Sequence, residues 1–459
     1  MPPGARAKRP LGESAAWLEG LINVERRPDW PYPRLGLEPI RRLLARLGDP
    51  QTGLSAIHVA GSKGKGSTAL LAEAVLRAAG ERVGTFTSPH LERWTERFRI
   101  DGREVGAASL AAALERLRPH VEALRRDDPA NTPTFFDVVT AAALLLFAEA
   151  RVDRAVVEVG LGGRLDSTNV IDAAVACVTT IELEHTDKLG TTLDAIAREK
   201  AGIAKPGRPL VMGALPAEAA AEVLERAEQV GAPVARLGRD FEVEVRACGV
   251  DGLVLALRDG ELAVDAVLPV LGAHQAANAA LALACVRRLE AHPIAELAVA
   301  AARGLARAAL PGRVELLARA PWIVVDGAHT AESARALASA LAPLARRRTE
   351  LVLSVSAGKE LAAILDALLP LADRVTVTCA ELLRSLAPDD LAAAVRAAAP
   401  ELPLRVVPDP RQALRSARRA SESDALLLAT GSVYLAGLAR SAWRPRRRAS
   451  WLTPAPPSA

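Results

Sequence analysis

His58-Val-Ala-Gly-Ser-Lys-Gly-Lys-Gly-Ser-Thr68 joins an apolar run at 55–60 to a helix-forming run at 67–79 through a loop with glycines at 61, 64 and 66. Strand, glycine loop and helix in that order make an anion cradle, because glycine lets successive backbone N–H groups converge on one point. The helix adds its positive dipole end, and Lys65 adds a full charge. Ser62, Lys63, Ser67 and Thr68 complete the candidate loop. Its spacing is tighter than that of the common P-loop, and Gly66 rather than Ser or Thr follows Lys65. A plain Gly-rich turn is the alternative reading.

Outward from this loop, strand-like and helix-like segments alternate. Strands are predicted at 82–87, 155–159, 175–181 and 209–212, with helices at 107–124, from Thr134, and at 192–203. Asp137 stands three residues after Thr134 as a capping partner. That order predicts a mostly parallel sheet covered on both faces. At 241–270 the pattern turns to period-two alternation with turns at Gly249, Gly252 and Gly260, a small antiparallel insertion. Helices at 275–289 and 294–306 lead to Ala308-Ala-Leu-Pro-Gly-Arg313, which reads as a linker. A second series has strands near 322–326, 350–355, 374–378, 404–407 and 424–428. The fold class is therefore α/β. A P-loop-type domain (1–307) precedes a Rossmann-like domain (308–440) and a disordered basic tail (441–459), with a cleft expected between the domains.

Composition narrows the class. Half the residues are hydrophobic and only 3% aromatic, which suits helices on a Val-rich parallel sheet. No apolar run is long enough to span a bilayer; the longest, 138–148, reads as a buried helix. The basic N-terminus (Arg6, Lys8, Arg9) leads into no apolar signal core, so a cytoplasmic protein without membrane partners is expected. Cys177, Cys248, Cys285 and Cys379 lack metal-ligand spacing and read as reduced core thiols. The formal charge is +4, but 440–459 alone carries five arginines and no acid. Basicity confined to a tail gives no nucleic-acid surface.

Four further constellations fall at predicted strand ends, where open α/β sheets bind ligands. Ser88, before Pro89 and His90, offers a hydroxyl for Mg²⁺, and 92–98 forms a polar loop able to close over a substrate; a strand-ending turn is the simpler reading. Glu158 ends an apolar strand, where a cation or an arginine must offset its charge. The following Gly160-Leu-Gly-Gly-Arg164-Leu-Asp166-Ser-Thr168-Asn169 gives close backbone approach with polar anchors. His185 is a candidate metal ligand or a solvated loop histidine. Lys200 lies in Arg198-Glu-Lys200, ordinarily an exposed charged helical face. In the second domain Asp326 and His329 follow a strand and Arg313 precedes it; Asp326 suits ribose hydroxyls, and Arg313 and His329 suit phosphate. Asn278, opening a helix of the first domain, suits a base edge, which completes a nucleotide site expected between the domains.

In order, the chain carries the loop 61–68, Ser88-Pro-His-Leu91, Glu158-Val-Gly-Leu-Gly-Gly-Arg164, His185-Thr-Asp187, Arg198-Glu-Lys-Ala-Gly202, Leu310-Pro-Gly-Arg313, Asp326-Gly-Ala-His329 and Thr430-Gly-Ser-Val-Tyr434. From about Trp17 to about Arg440 it resembles the folylpolyglutamate synthase/dihydrofolate synthase family, a branch of the Mur ligases. The resemblance implies ATP-dependent joining of L-glutamate to a folate or dihydropteroate carboxylate through an acyl phosphate, with no nucleic-acid partner and a monomeric enzyme. It implies Mg²⁺ at Ser88, Glu158 and His185, a carbamylated Lys200, and ATP on the 61–68 loop, Asn278, Arg313, Asp326 and His329. Lys65, His185 and Lys200 then serve catalysis, and Pro89, His90, Arg164, Asp166, Thr168 and Asn169 serve the substrate. The chain departs from the family pattern at Ser62-Lys63, Glu184, Lys188, Thr330-Ala331 and Gly358-Lys-Glu360. Another Mur-type carboxylate–amine ligase, or a nucleotide-gated binding module, are the alternatives.

Overall fold

The computed structural model describes residues 11–23, 36–344, 348–382 and 384–444. They fall into two compact units, 1–269 with 273–309, and 270–272 with 310–459. The basic N-terminus and residues 445–459 of the expected tail lie outside the described residues. The final helix, Val433–Trp443, runs past the expected tail boundary at 441. Trp443 is buried there, and its indole N–H donates to the Leu414 carbonyl at 3.0 Å.

The first unit is built on an eight-stranded sheet: β1 (Ala56–Ala60), β2 (Val83–Phe86), β3 (Phe98–Ile100), β4 (Arg103–Glu104), β5 (Arg154–Glu158), β6 (Val175–Val178), β7 (Leu210–Met212) and β8 (Val234–Arg236). Their spatial order is β4-β3-β2-β5-β1-β6-β7-β8. All neighbours from β2 to β8 are parallel, and only β3 and β4 run antiparallel. Every residue of β1 and β6 is buried, which is why their sequences, His58 apart, are apolar without alternation. The helix Phe135–Ala150 opens on the expected capping box: Thr134 Oγ1 accepts the Asp137 N–H, and Asp137 accepts the Thr134 N–H at 2.7 Å. Ser167 Oγ donates to the second oxygen of Asp137 at 2.6 Å, tying this helix to the 160–169 segment.

Residues 92–98 are not the open polar loop expected from composition. The Glu96 carboxylate accepts the backbone N–H groups of Leu91, Glu92 and Arg93, which coils the stretch into a 3₁₀ turn at Trp94–Arg97 ahead of β3. The insertion is a three-stranded antiparallel sheet: β9 (Phe241–Gly249), β10 (Gly252–Asp259) and β11 (Leu262–Leu268). The Asp259 carboxylate takes both Arg287 and Arg288 and pins it to the helix His274–Arg287. Cys248, on the edge strand β9, is exposed, unlike the core thiols Cys177 and Cys285.

The second unit holds a six-stranded sheet: β12 (Glu315–Arg319), β13 (Trp322–Val325), β14 (Thr349–Leu353), β15 (Arg374–Val377), β16 (Leu404–Val406) and β17 (Leu426–Thr430), in the order β12-β13-β17-β14-β15-β16. Only β12 is antiparallel, and it escaped the sequence reading because its residues are half-buried and lack a clear apolar face. Among the described residues no helix is long and apolar enough to cross a membrane.

The fold makes one demand on the glycine loop. Gly64 has φ +82°, and a Cβ there would stand 2.3 Å from Asn278 Oδ1. Gly64→Ala is expected to lower the thermal midpoint, at a cost of about 1–3 kcal/mol for the strained backbone. An unchanged melting curve would show that the loop relaxes freely at this position.

Candidate active site

Register assembles the site. Val59 pairs with Glu158, Ala60 with Val178 and Phe86 with Val157, so the C-terminal ends of β2, β5, β1 and β6 lie side by side. The segments leaving them, at 87–91, 159–169, 61–64 and 179–185, therefore meet at one edge of the sheet, and each carries a sequence-predicted site residue.

The helix Lys65–Ala78 begins directly after Gly64. Its loop is held from β6: Ser62 N–H donates to Thr180 O at 2.7 Å, Lys63 N–H to Thr180 Oγ1 at 2.8 Å, and Thr179 Oγ1 to Lys63 O at 2.5 Å. A Cβ on Gly61 would lie 1.9 Å from Thr179 Oγ1, so only glycine allows this approach. Lys65 Nζ folds back over the loop to Gly61 O at 2.7 Å and Ser62 O at 3.2 Å. Thr68 and Ser67 are buried in the first helical turn, and Thr68 Oγ1 meets Asn278 Oδ1 at 3.4 Å. Asn278 Nδ2 donates to Gln275 Oε1 at 2.8 Å, so Asn278 braces the glycine loop from the helix His274–Arg287.

Lys200 is not on an exposed face. Two residues along a helix turn by about 200°, so Arg198 faces outward to Glu222 while Lys200 points into the protein, 2% exposed. Its Nζ donates to Gly61 O at 3.0 Å and to Glu184 Oε1 at 3.2 Å. Burial pulls its pKa down to about 8, against the opposing charge of Glu184. Lys63 Nζ pairs with the other oxygen of Glu184 at 3.0 Å. Burial alone would raise the Glu184 carboxyl, but Lys200, Lys65 and Lys63 together hold it well below the usual carboxylate range. Gly61, Lys65, Gly160, Glu184, His185 and Lys200 line one cleft. Glu184 was given no role from sequence; its signal was an acid at a strand exit in a chain with lysines at 63, 65 and 200.

Of the three residues that the resemblance gives to Mg²⁺, Glu158 is 4% exposed, and its Oε2 accepts the Ser88 N–H at 2.9 Å. A Cβ on Gly66 would lie 3.1 Å and 3.3 Å from the two Glu158 oxygens, so this carboxylate faces the start of the helix Lys65–Ala78. His185 has φ +49° and heads the single turn Thr186–Leu189. Among the described residues no group of three or more His, Cys, Asp or Glu side chains is gathered for a metal. The Glu158 carboxylate and the Ser88 hydroxyl are of the oxygen-donor type that a hard cation takes beside phosphate.

The 160–169 segment is held largely by its own side chains. Asp166, buried, accepts the Leu161 N–H at 2.8 Å, the Thr168 N–H at 3.0 Å and the Thr168 hydroxyl at 2.5 Å. Thr168 Oγ1 in turn meets His58 Nε2 at 2.8 Å inside β1. The hydroxyl proton is committed to the carboxylate, so His58 carries its proton on Nε2; burial drives its pKa down to about 3, and it stays neutral. Asn169 donates to the carbonyls of Arg164 and Gly202 and accepts from Lys205. Arg164 pairs with Glu199 at 2.7 Å. Beside Pro89, His90 accepts from Arg97 Nε at 3.0 Å and stacks on Trp94 at 4.6 Å, with Phe135 beyond at 5.3 Å from Trp94. This aromatic cluster was missed because its members are scattered over some forty-five positions.

In the second unit Asp326 is fixed by the N–H groups of Val314 and Ala328, each at 2.7 Å. His329 Nδ1 meets Gly327 O at 2.8 Å, which makes Nδ1 the donor. Arg313 lies over Gly327, with Nη1 3.0 Å from where a Cβ would stand.

Residues 59–286 match the Mur ligase middle domain family, and 312–433 match the Mur ligase glutamate ligase domain family. A probable bifunctional folylpolyglutamate synthase/dihydropteroate synthase of Haloferax volcanii is 37% identical over 89% of this chain and 48% of that protein, so the chain spans about half of that relative's length. The dihydrofolate synthase/folylpolyglutamate synthase of Mycobacterium tuberculosis is 39% identical over 79% of this chain and 78% of its own. A crystal structure of the Mycobacterium tuberculosis folylpolyglutamate synthase with ADP matches with a TM-score of 0.85 at 35% identity, covering 94% of this chain and 98% of that one. The chain belongs to the folylpolyglutamate synthase/dihydrofolate synthase family of Mur ligases.

Proposed function

We infer that this protein is an ATP-dependent ligase that joins L-glutamate to a folate or to dihydropteroate. The observation that carries this reading is the single cleft where the glycine loop, Lys65, His185 and Lys200 meet in a chain of this family. The γ-phosphoryl group passes to a carboxylate oxygen of the folate as its bond to ADP breaks. The glutamate amine then attacks the acyl carbon, loses a proton and expels phosphate. Lys65 and the N–H groups that open its helix would bind phosphate oxygens, while Ser88, Glu158 and His185 would hold Mg²⁺. When bound, that ion neutralises charge on the phosphates. Arg313, Asp326 and His329 are assigned to ATP, as is Asn278. Pro89, His90 and Arg164 are assigned to the substrate, with Asp166, Thr168 and Asn169 shaping the segment it would meet.

Purified protein with ATP, Mg²⁺, radiolabelled glutamate and a panel of folates and pteroates tests the reading. Labelled conjugate should form, and ADP release should require both glutamate and a pteroate or folate. ADP release with none of the panel would assign the chain to a Mur-type ligase for another carboxylate. Lys65→Ala should lower turnover about a hundred- to a thousand-fold, the usual effect of losing one preorganised charge contact. Near-normal turnover in that variant would remove Lys65 from phosphoryl transfer.

Lys200 is proposed to accept carbon dioxide as a carbamate. Its pKa near 8 supports this, because only the neutral amine adds to the carbon, releasing a proton as the N–C bond forms. The neutral fraction grows as pH rises through about 8. Under native mass spectrometry in bicarbonate, the fraction of protein carrying one added carbon dioxide should therefore rise across that window and vanish in Lys200→Ala. An adduct level that is flat with pH, or retained in the variant, excludes this site.

A further inference from the structure

We propose that His58, buried in the strand β1, is a positioning residue for the carboxylate substrate: it acts through Thr168 and Asp166 on the glycine turn 160–163 at the cleft. The proposal rests on the ligase reading above and adds to it a residue outside the cleft that sets how well the folate or pteroate is held.

A histidine is unexpected at that position. β1 is flanked by β5 and β6, and His58 stands in register with Val157 and Ala176, wholly buried between them. It is the one polar side chain of the strand, and its Nδ1 has no hydrogen-bond partner among the described residues. A buried polar atom left unpaired costs desolvation energy, which an apolar side chain of similar size would avoid. The histidine does supply one directed bond. Its Nε2–H donates to Thr168 Oγ1 at 2.8 Å, Thr168 Oγ1 donates to Asp166 Oδ1 at 2.5 Å, and Asp166 Oδ2 accepts the Leu161 N–H at 2.8 Å. Gly160, Leu161 and Gly162 line the cleft beside Lys65 and Lys200. The chain of bonds therefore runs from the middle of the sheet to the cleft wall.

Neighbouring ties stop short of that wall. Ser167 binds Asp137 on the helix Phe135–Ala150, and Asn169 binds the carbonyls of Arg164 and Gly202 and the Lys205 ammonium group. The turn itself has three glycines, one of them (Gly162) at φ +70°, so it depends on Asp166 for a polar anchor. A hydroxyl that accepts from an imidazole N–H is held in one orientation and donates more strongly onward. Without the His58 donor, Thr168 still meets Asp166 but turns more easily, and the glycine turn loosens without an unpaired buried donor being created. A histidine needed only for packing would behave otherwise. Its loss would lower the melting point and disturb both substrates alike, since β1 runs straight into the ATP loop at Gly61.

Steady-state kinetics, thermal melting and hydrogen-exchange mass spectrometry on His58→Leu and His58→Gln test the proposal in the full chain. In His58→Leu the KM for dihydropteroate or a folate should rise about three- to tenfold, the range for one intramolecular hydrogen bond, with kcat and the KM for ATP held within about twofold. The melting point should stay level or rise, and the 160–163 amides should exchange faster than in wild type. His58→Gln, whose amide N–H can stand where Nε2–H stands, should restore most of the KM and of the exchange protection. Equal shifts in the KM values for ATP and folate, an unchanged folate KM, or no rescue by glutamine overturns the proposal. Should His58→Leu fail to fold, Thr168→Val cuts the same chain at its hydroxyl, and unchanged exchange at 160–163 in that variant overturns it as well. Wild type that forms no glutamate conjugate would instead overturn the ligase reading, and the exchange readout would still decide whether His58 holds the turn.

Discussion

Parallel pairing on both sides of β1 is the constraint on which the site depends. Because β5 and β6 flank it in the same direction, three chain segments separated by up to about 120 residues leave the sheet at neighbouring points. A register slip of one residue on β5 would turn Glu158 to the opposite face and put Val157 or Val159 against Gly66. The packing resists such a slip, since Ala155, Val156 and Val157 are buried on both faces. Hydrophobic burial in the sheet thus fixes polar positions at its edge without any polar group having to fix them.

On that frame the loop is determined mainly by hydrogen bonds from one neighbouring strand exit. Thr179 and Thr180 supply two hydroxyls and a carbonyl to Ser62 and Lys63, and the close approach of Thr179 is what excludes a side chain at Gly61. The ammonium groups are then placed by carbonyls of the same loop: Gly61 O receives both Lys65 and Lys200. A carbonyl that gathers two cations presents their charge to the cleft as a unit, so the loop works as a concentrated positive site more than as a run of separate donors.

Much of this was legible in the sequence. Val- and Ala-rich runs at regular spacing gave the parallel sheet, period-two alternation gave the insertion, and the Thr134–Asp137 pair marked a helix start that the structure keeps. Elements shaped by one long-range partner were not legible. The turn at 94–97 depends on Glu96 collecting three backbone N–H groups, and β12 exists only because β13 accepts it. Lys200 shows the same limit at one residue. Its neighbours Arg198 and Glu199 are spent on outward ion pairs, and only the placement of the whole helix reveals that the third charged residue turns inward.

The two buried carboxylates at the sheet edge are surrounded by different groups. Glu158 accepts the Ser88 N–H and lies against the start of the loop helix, which adds partial positive charge. Glu184 is met by full positive charges, with Lys63 and Lys200 in contact and Lys65 close enough to lower its pKa. On the Glu184 side the three lysines repel a cation and attract an anion, so the character of that edge is set by ammonium groups gathered around one carboxylate rather than by the carboxylate itself.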